Sequence, residues 1–257
     1  MQDIADSHTL LLFPCCGSKL SGGTPWDESG SKLSRLVPQN VFEEIVAARE
    51  DLLKTIQNEE RYFTDKYKKN VYIRFGPDFN GTDATGKYRP AINRYIGFLY
   101  TETPELPELI TRRLLEPDAP HLLILSALYG PLHPFDIIQD YDLKMGDHPA
   151  RTKWRKKIFP LFLKEYIQTY GIKHVELFFG HSTEYLKVAR GAILPLLNAG
   201  ILSEAVQYWV DGGNTQATPK AHGRILASRL KGNIKPPVLR RPLQSFADKW
   251  LVISASC

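Results

Sequence analysis

Cysteines and long apolar stretches are scarce in this sequence of 257 residues. It has three cysteines, Cys15, Cys16 and Cys257, and because two are adjacent and the third is the last residue, they make a poor disulfide framework. No stretch reaches the roughly 18 apolar residues that a membrane span needs. The first nine residues carry Asp3 and Asp6 but no Lys or Arg, which is unlike a signal peptide. We therefore expect a cytoplasmic protein without a membrane partner.

Two common ligand motifs are also missing. No Cys-x-x-Cys or histidine-rich spacing is present, so the sequence predicts no metal site. Lys19 follows a Gly–Ser pair and could meet a phosphate, but the Walker pattern G-x-x-x-x-G-K-[ST] is absent. We expect no resident cofactor.

What is present suits one globular domain spanning residues 1–257. The chain is 43% hydrophobic and 24% charged, which excludes wholesale disorder and provides for a sizeable core. A polar stretch at about 59–90 is predicted to be an irregular insertion, and a basic helix and tail occupy about 212–247.

The net charge of +5 is unevenly distributed, which favours a polyanionic partner, DNA first. Residues 212–247 contain seven basic residues and no acidic one. A second basic block surrounds Trp154. A solvated basic surface is the alternative interpretation. The candidate nucleic-acid-binding residues are Arg151, Lys153, Arg155, Lys156, Lys157, Lys220, Arg224, Arg229 and Lys231.

Short apolar runs alternate with helical patterns along the chain. Strands are predicted at Leu10–Phe13, His121–Leu125, Val175–Phe179 and Ala205–Val210. Helices are predicted from Pro38 to about Ile56, at Pro104–Leu115, at Thr152–Tyr170 with a kink at Pro160, at Thr183–Asn198 and at about Lys220–Leu230. This alternation predicts a three-layer α/β/α fold with a mostly parallel central sheet.

Ligands of such folds bind beyond the carboxyl ends of the strands. Here the four strand ends are rich in glycine and small polar residues, and we expect them to form one pocket, although tight turns alone would explain each end. The four segments are 15–19, 126–130, 180–184 and 211–214.

The third strand end has the clearest chemistry. Ser182 is predicted to cap a helix N-terminus, where backbone N–H groups could hold a phosphate, and His181 could stabilise a leaving base. Any of five carboxylates near the strand ends could activate a water or stabilise a cationic sugar, namely Asp136, Asp140, Asp142, Glu184 and Asp211. Of these, Asp136 and Glu184 are the preferred candidates. We therefore take Asp136, Glu184 and His181 as candidate catalytic residues. Tyr129, Tyr141 and Tyr185 could stack on a base or could simply be core aromatics.

One stretch resembles a known family. The run Leu123-Ile-Leu-Ser-Ala-Leu-Tyr-Gly-Pro-Leu-His-Pro-Phe-Asp136, continuing to Tyr141-Asp-Leu-Lys-Met-Gly146, is similar to the signature of the YaaA family of peroxide-stress proteins. Further pieces fall in the same order: Lys19, Tyr100, Ser182–Tyr185, and Arg224 with Ser228 and Arg229. The resemblance implies a stress-protective DNA-binding role. The candidate substrate-binding residues are Lys19, Tyr100, Ser126, Tyr129, Tyr141, Ser182 and Tyr185.

A weaker resemblance points to the uracil-DNA glycosylase superfamily, in which a polar loop follows the first strand and a His-Ser pair opens a helix after a late strand. An enzyme that flips a nucleotide and cleaves its N-glycosidic bond would use all the features above. The sequence thus favours excision of a modified nucleobase from DNA, and the alternative is a non-catalytic DNA-binding protein of the YaaA type acting in peroxide stress.

Overall fold

The computed structural model describes residues 6–210, 214–233, 240–242 and 250–255. The strands of this part of the chain are β1 (Thr9–Pro14), β2 (Arg89–Pro90), β3 (His121–Ser126), β4 (Gly130–Leu132), β5 (Ile137–Ile138), β6 (His174–Leu177), β7 (Glu204–Val210), β8 (Arg240–Pro242) and β9 (Trp250–Ala255). The α-helices are α1 (Gln39–Asn58), α2 (Ala91–Arg94), α3 (Phe98–Thr101), α4 (Leu106–Arg113), α5 (His148–Lys153), α6 (Phe159–Thr169), α7 (Glu184–Asn198) and α8 (Ala217–Leu230).

The chain divides into two compact, discontinuous units. The first contains the described residues of Met1–Pro14, Gly97–Leu123 and Ile167–Cys257, and the second contains Cys15–Ile96 and Ile124–Tyr166. The sequence predicts one domain, and that prediction remains open. None of the helices described is long and apolar enough to cross a bilayer.

The first unit is built on a mostly parallel sheet. Its strand order is β3-β1-β6-β7-β9-β8, with β3 contributing its residues up to Leu123. Strand β6 pairs in parallel with β1 and β7, β9 pairs in parallel with β7, and β8 is antiparallel to β9. The strand β1 reads Thr-Leu-Leu-Leu-Phe-Pro and is buried over its first five residues, as expected of a strand covered on both faces. The three-layer α/β/α class is confirmed.

The second unit combines α1 with short, irregular elements. Residues 124–126 of β3 pair with the antiparallel strand β4, and β2 pairs with β5. The apolar face of α1 is buried at positions three or four residues apart, including Val41, Ile45, Leu52 and Ile56. The polar stretch that follows α1 consists mainly of 3₁₀ turns at Glu60–Tyr62, Asp65–Tyr72 and Pro77–Phe79.

The helix predicted at Thr152–Tyr170 contains a π-helical turn at Trp154–Ile158, and Pro160 lies in the first turn of α6 directly after it, so the kink at Pro160 stays a prediction. One local expectation is wrong. The N-cap of α7 is Thr183 and not Ser182, because the Thr183 side chain accepts a hydrogen bond from the Leu186 N–H.

Candidate functional site

Four of the candidate substrate-binding residues lie together in the second unit. The Ser126 hydroxyl shares a hydrogen bond of 2.7 Å with the Tyr141 hydroxyl, which shares another of 3.1 Å with Tyr95. The backbone N–H of Tyr129 donates to Ser126 Oγ at 3.0 Å. Lys19 Nζ lies 4.0 Å from the centre of the Tyr141 ring. Ser126, Tyr141 and Tyr95 thus form a buried chain of hydroxyl groups, and the Lys19 amine lies over the Tyr141 ring.

Lys19 is an unusual lysine because it is buried. Its ammonium group makes one long hydrogen bond within the described residues, 3.4 Å to the Gly17 carbonyl. Burial lowers the pKa of Lys19, and the nearby Cys15 and Cys16 thiols oppose that shift. Desolvation is therefore the dominant influence on this amine.

Tyr129 leads to a second buried cluster, which sequence reasoning missed. The hydroxyls of Tyr129 and Tyr88 donate to the two oxygens of Asp78 at 2.7 and 2.8 Å. Gln139 donates to the Tyr88 hydroxyl through its side chain, and its backbone N–H donates to the Tyr129 hydroxyl. Burial raises the pKa of Asp78 to about 6, against the lowering effect of these hydrogen bonds and of Arg49.

A small cavity of about 60 Å³ adjoins this cluster. Asp78, Tyr129, Arg49 and Asp136 all contribute to its wall. The buried Arg49 guanidinium donates to the carbonyls of Tyr129 and Pro131. The volume suits a few water molecules and is too small for a nucleobase.

Asp136, the candidate catalytic carboxylate of the signature, holds loops together. Its Oδ1 accepts from the backbone N–H groups of Lys32 and Leu33 at 2.6 and 2.9 Å, and its Oδ2 accepts from the His133 N–H at 2.7 Å. Burial nevertheless raises its pKa. A buried carboxylate bonded to three backbone amides stabilises the fold and is poorly placed to meet a substrate.

The third strand end lies in the first unit. His181 packs on Trp209 with ring centroids 4.4 Å apart, and Tyr185 stacks on Phe179. Glu184 accepts from Lys187 Nζ at 2.6 Å in an i,i+3 ion pair. Ser182 is exposed just before the helix cap.

Tyr100 is a core residue of the first unit. Its hydroxyl donates to the Pro14 carbonyl at 2.7 Å, and its ring packs against Phe13. The convergence of all four strand ends in one pocket remains a prediction, and the fourth end at 211–213 lies outside the described residues.

The basic residues of α8 and of the turn after it are paired with acids. Arg229 donates to both Asp6 and Glu176, at 2.6 and 2.9 Å. Arg224 and Lys220 pair with Glu102, and Lys231 pairs with Glu105 at 2.8 Å. Arg229 is also largely buried, which removes it from a phosphate interface. The side chains of the basic tail, residues 235–241, lie outside the described residues.

The basic block around Trp154 is more open. A π-helical turn carries an extra residue per turn, and here it presents Arg155, Lys156 and Lys157 consecutively to solvent while Trp154 stays buried. Lys157 pairs with Glu44 and, in the preceding helix, Lys153 pairs with Asp51. Among the described residues no carboxylate lies within 4.0 Å of the charged groups of the rest of this block, Arg151, Arg155 and Lys156.

Gly130 of the signature anchors this turn. Its φ of +67° is a left-handed conformation, and a Cβ there would overlap the Trp154 ring. The ring is fixed by a hydrogen bond of 2.8 Å from Trp154 Nε1 to the Ala127 carbonyl. The signature strand end and the basic turn are therefore packed against each other through a glycine.

Comparison with known proteins identifies the family. The model of the family described as "Peroxide stress protein YaaA" matches residues 35–212. The chain belongs to the YaaA family. It is also similar to several UPF0246 proteins. One from Pediococcus pentosaceus is 42% identical over 82 residues (32% of this chain and 30% of that protein), and one from Saccharophagus degradans is 33% identical over 99 residues (36% of each chain). One from Burkholderia mallei is 30% identical over 146 residues (53% of this chain and 54% of that protein). The matches thus span about a third to a half of these relatives.

The YaaA match covers most of the residues of the site described above. Asp78, Ser126, Tyr129, Asp136 and the basic turn fall within it, whereas Lys19 and α8 fall outside. Most of the buried hydroxyl and carboxylate network therefore belongs to the part shared with YaaA proteins.

No described group of three or more His, Cys, Asp or Glu side chains could hold a metal ion. The polar atoms that the structure gathers are hydroxyls, single carboxylates, an amine and a guanidinium. Such a set can position chain segments and bind a polar ligand or water.

Proposed function

We propose that this chain binds DNA and acts in protection against peroxide stress without a catalytic step of its own. The observation that carries the proposal is the match to the peroxide-stress family over residues 35–212. DNA enters as the partner because the chain carries an exposed basic turn. The excision of a modified base has no comparable support from the relatives.

The basic turn supports the DNA-binding part of the proposal. Phosphate contacts need cations that are exposed and not already neutralised by acidic neighbours. Arg155 and Lys156 meet both conditions, and Arg151 at the end of α5 is partly exposed. Because Trp154 anchors the turn through its hydrogen bond to Ala127, little backbone freedom would be lost there on binding.

The contacts of the candidate catalytic residues favour a non-catalytic role. Cleavage of an N-glycosidic bond requires a carboxylate that can face the sugar or a water. Asp136 is committed to three backbone amides, and Glu184 is committed to an ion pair with Lys187. The proposal therefore omits hydrolysis.

The test is the salt dependence of duplex binding. The double variant Arg155→Ala/Lys156→Ala should lower the slope of log K against log salt by about 1.8, which is about 0.9 for each lost phosphate contact. The matched control is Lys54→Ala/Lys187→Ala, which removes the same charge from helical ion pairs and should leave the slope unchanged. Identical slopes for all three proteins would refute the interface.

A cellular assay tests the stress role separately. Cells that depend on this protein for survival in hydrogen peroxide should be rescued by the wild type and by the control variant. They should not be rescued by Arg155→Ala/Lys156→Ala at equal protein level. Full rescue by that variant would separate peroxide protection from the basic turn.

A further inference from the structure

Residues 61–74 of the second unit carry several exposed aromatic and basic side chains, and we call them the 61–74 segment. Tyr72 is 71% exposed and Phe63 is 40% exposed, with Val71 exposed between them in sequence. Within the described residues neither aromatic side chain packs against another ring or a cation. Large exposed rings on one short segment are typical of a binding surface.

The 61–74 segment is basic as well as aromatic. It contains five basic residues and one acidic residue. Arg61 pairs with Glu59, and Lys69 pairs with Asp140 at 3.1 Å. Lys66 and Lys68 are exposed and have no carboxylate partner in the described part of the chain. Cations interleaved with exposed rings complement a ligand that carries both phosphates and flat apolar faces.

Buried side chains hold the segment rigid. The Asn70 side chain donates to the Tyr62 carbonyl and accepts from the Asp142 N–H at 2.9 Å. The Lys69 N–H donates to the Asp142 carboxylate at 3.0 Å, and the Tyr67 hydroxyl donates to Asp147 at 2.9 Å. The segment is thus fastened to the signature loop before any ligand arrives.

We propose that the 61–74 segment binds single-stranded DNA, with Tyr72 and Phe63 stacking on unpaired bases and with Lys66 and Lys68 contacting phosphates. This rests on the proposed function, in which DNA is the partner, and adds the form of DNA that the second surface accepts. Bases inside a duplex cover each other's faces, so an exposed ring can stack only on unpaired or terminal bases. Stacking tolerates any base, and the segment therefore selects strandedness and not sequence.

The experiment compares one fluorescent oligothymidylate of 20 residues with a 20-base-pair duplex. Tyr72→Ala should weaken binding of the single strand about tenfold and that of the duplex less than twofold, whereas Tyr72→Phe should bind both like the wild type. Leu115→Ala is the matched control, because Leu115 is an exposed apolar side chain (81%) outside the segment. Because Tyr72 is exposed, its replacement should leave the unfolding midpoint unchanged.

Any result other than a selective loss of single-strand binding by Tyr72→Ala would overturn the proposed single-strand surface. Unaltered binding of the single strand by Tyr72→Ala would exclude stacking, and equal losses on both ligands would assign Tyr72 to general DNA contact. A wild-type protein that binds only the duplex would refute this inference while leaving the proposed function intact. A protein that binds neither would refute both, and tighter binding of the equivalent RNA strand would reassign the surface to RNA.

Discussion

Gly130 offers the most direct test of the packing between the signature and the basic turn. With φ at +67°, alanine there adopts a left-handed conformation that costs about 1–2 kcal/mol. Its Cβ would also overlap three atoms of the Trp154 ring, which is fully buried and held by its hydrogen bond to Ala127. Forcing a methyl group into a packed core adds about 1–3 kcal/mol. We expect Gly130→Ala to lower the free energy of unfolding by about 2–5 kcal/mol.

Two other glycines separate the backbone cost from the packing cost. Gly200 follows α7 with φ at +71° and has open space where a Cβ would lie, so Gly200→Ala should lose only the backbone cost, about 1–2 kcal/mol. Gly191 lies in α7, also in open space, and Gly191→Ala should stabilise the protein by about 0.5–1 kcal/mol.

Urea unfolding measures all three variants. With a slope of about 2–3 kcal/mol per molar urea, Gly130→Ala should move the midpoint down by about 1–2 M. A loss in Gly130→Ala no larger than that in Gly200→Ala would mean that the Trp154 ring moves aside without cost. The argument that the signature glycine exists to admit this ring would then be wrong.

Three further predictions concern buried charges. Burial raises the pKa of Asp78 from 3.8 to about 6, so the folded protein holds this proton more tightly than the unfolded chain does. The unfolding free energy should therefore fall by about 2 kcal/mol between pH 4 and 6. The difference in urea-unfolding free energy between the wild type and Asp78→Asn should show this fall, and a difference that is flat with pH would contradict it. Arg229→Met should lower the unfolding free energy by about 3–5 kcal/mol, because the buried Glu176 would lose its Arg229 partner. Adding Glu176→Gln to this variant should recover part of the loss. A loss below about 1 kcal/mol for Arg229→Met alone would exclude the buried pair as a stabilising contact. Asp136→Asn should lower the unfolding free energy by about 2–4 kcal/mol, because the new amide N–H₂ would face backbone N–H groups. In an assay for alkali-labile sites, the wild type should release no base from modified duplexes. Base release by the wild type that is lost in Asp136→Asn would restore the glycosylase hypothesis.

The sequence predicts the large elements well because their signals are local. The buried runs that become β1, β6 and β7, and the apolar periodicity of α1, each depend on neighbours within a few residues. The short strands β4 and β5 were missed, since two or three residues carry no period and their pairing is set by the fold. The extra residue of the π-helical turn likewise has no sequence signal apart from the cluster of basic residues.

The site was predicted less completely because its contacts are long-range. The sequence identifies four of its residues as candidates because they are polar and lie at strand ends or in the signature: Lys19, Ser126, Tyr129 and Tyr141. Asp78 lies in a polar stretch and meets Tyr129 across 51 residues, which no local pattern reveals. The carboxylate of Asp136 suggested chemistry because two of its three backbone partners, Lys32 and Leu33, lie more than 100 residues earlier and no local pattern reveals them.

The signature residues are buried and anchor the backbone, whereas the exposed residues beside them form the proposed binding surfaces. Gly130 admits the ring that anchors the basic turn, and Asp142 fastens the 61–74 segment. Each buried contact anchors the backbone of a segment that carries exposed cations or aromatic rings. Ordering that backbone during folding lowers the entropy cost of binding a ligand. A signature made of buried polar residues is therefore compatible with a binding protein, because its residues fix the geometry of surfaces that they do not themselves form.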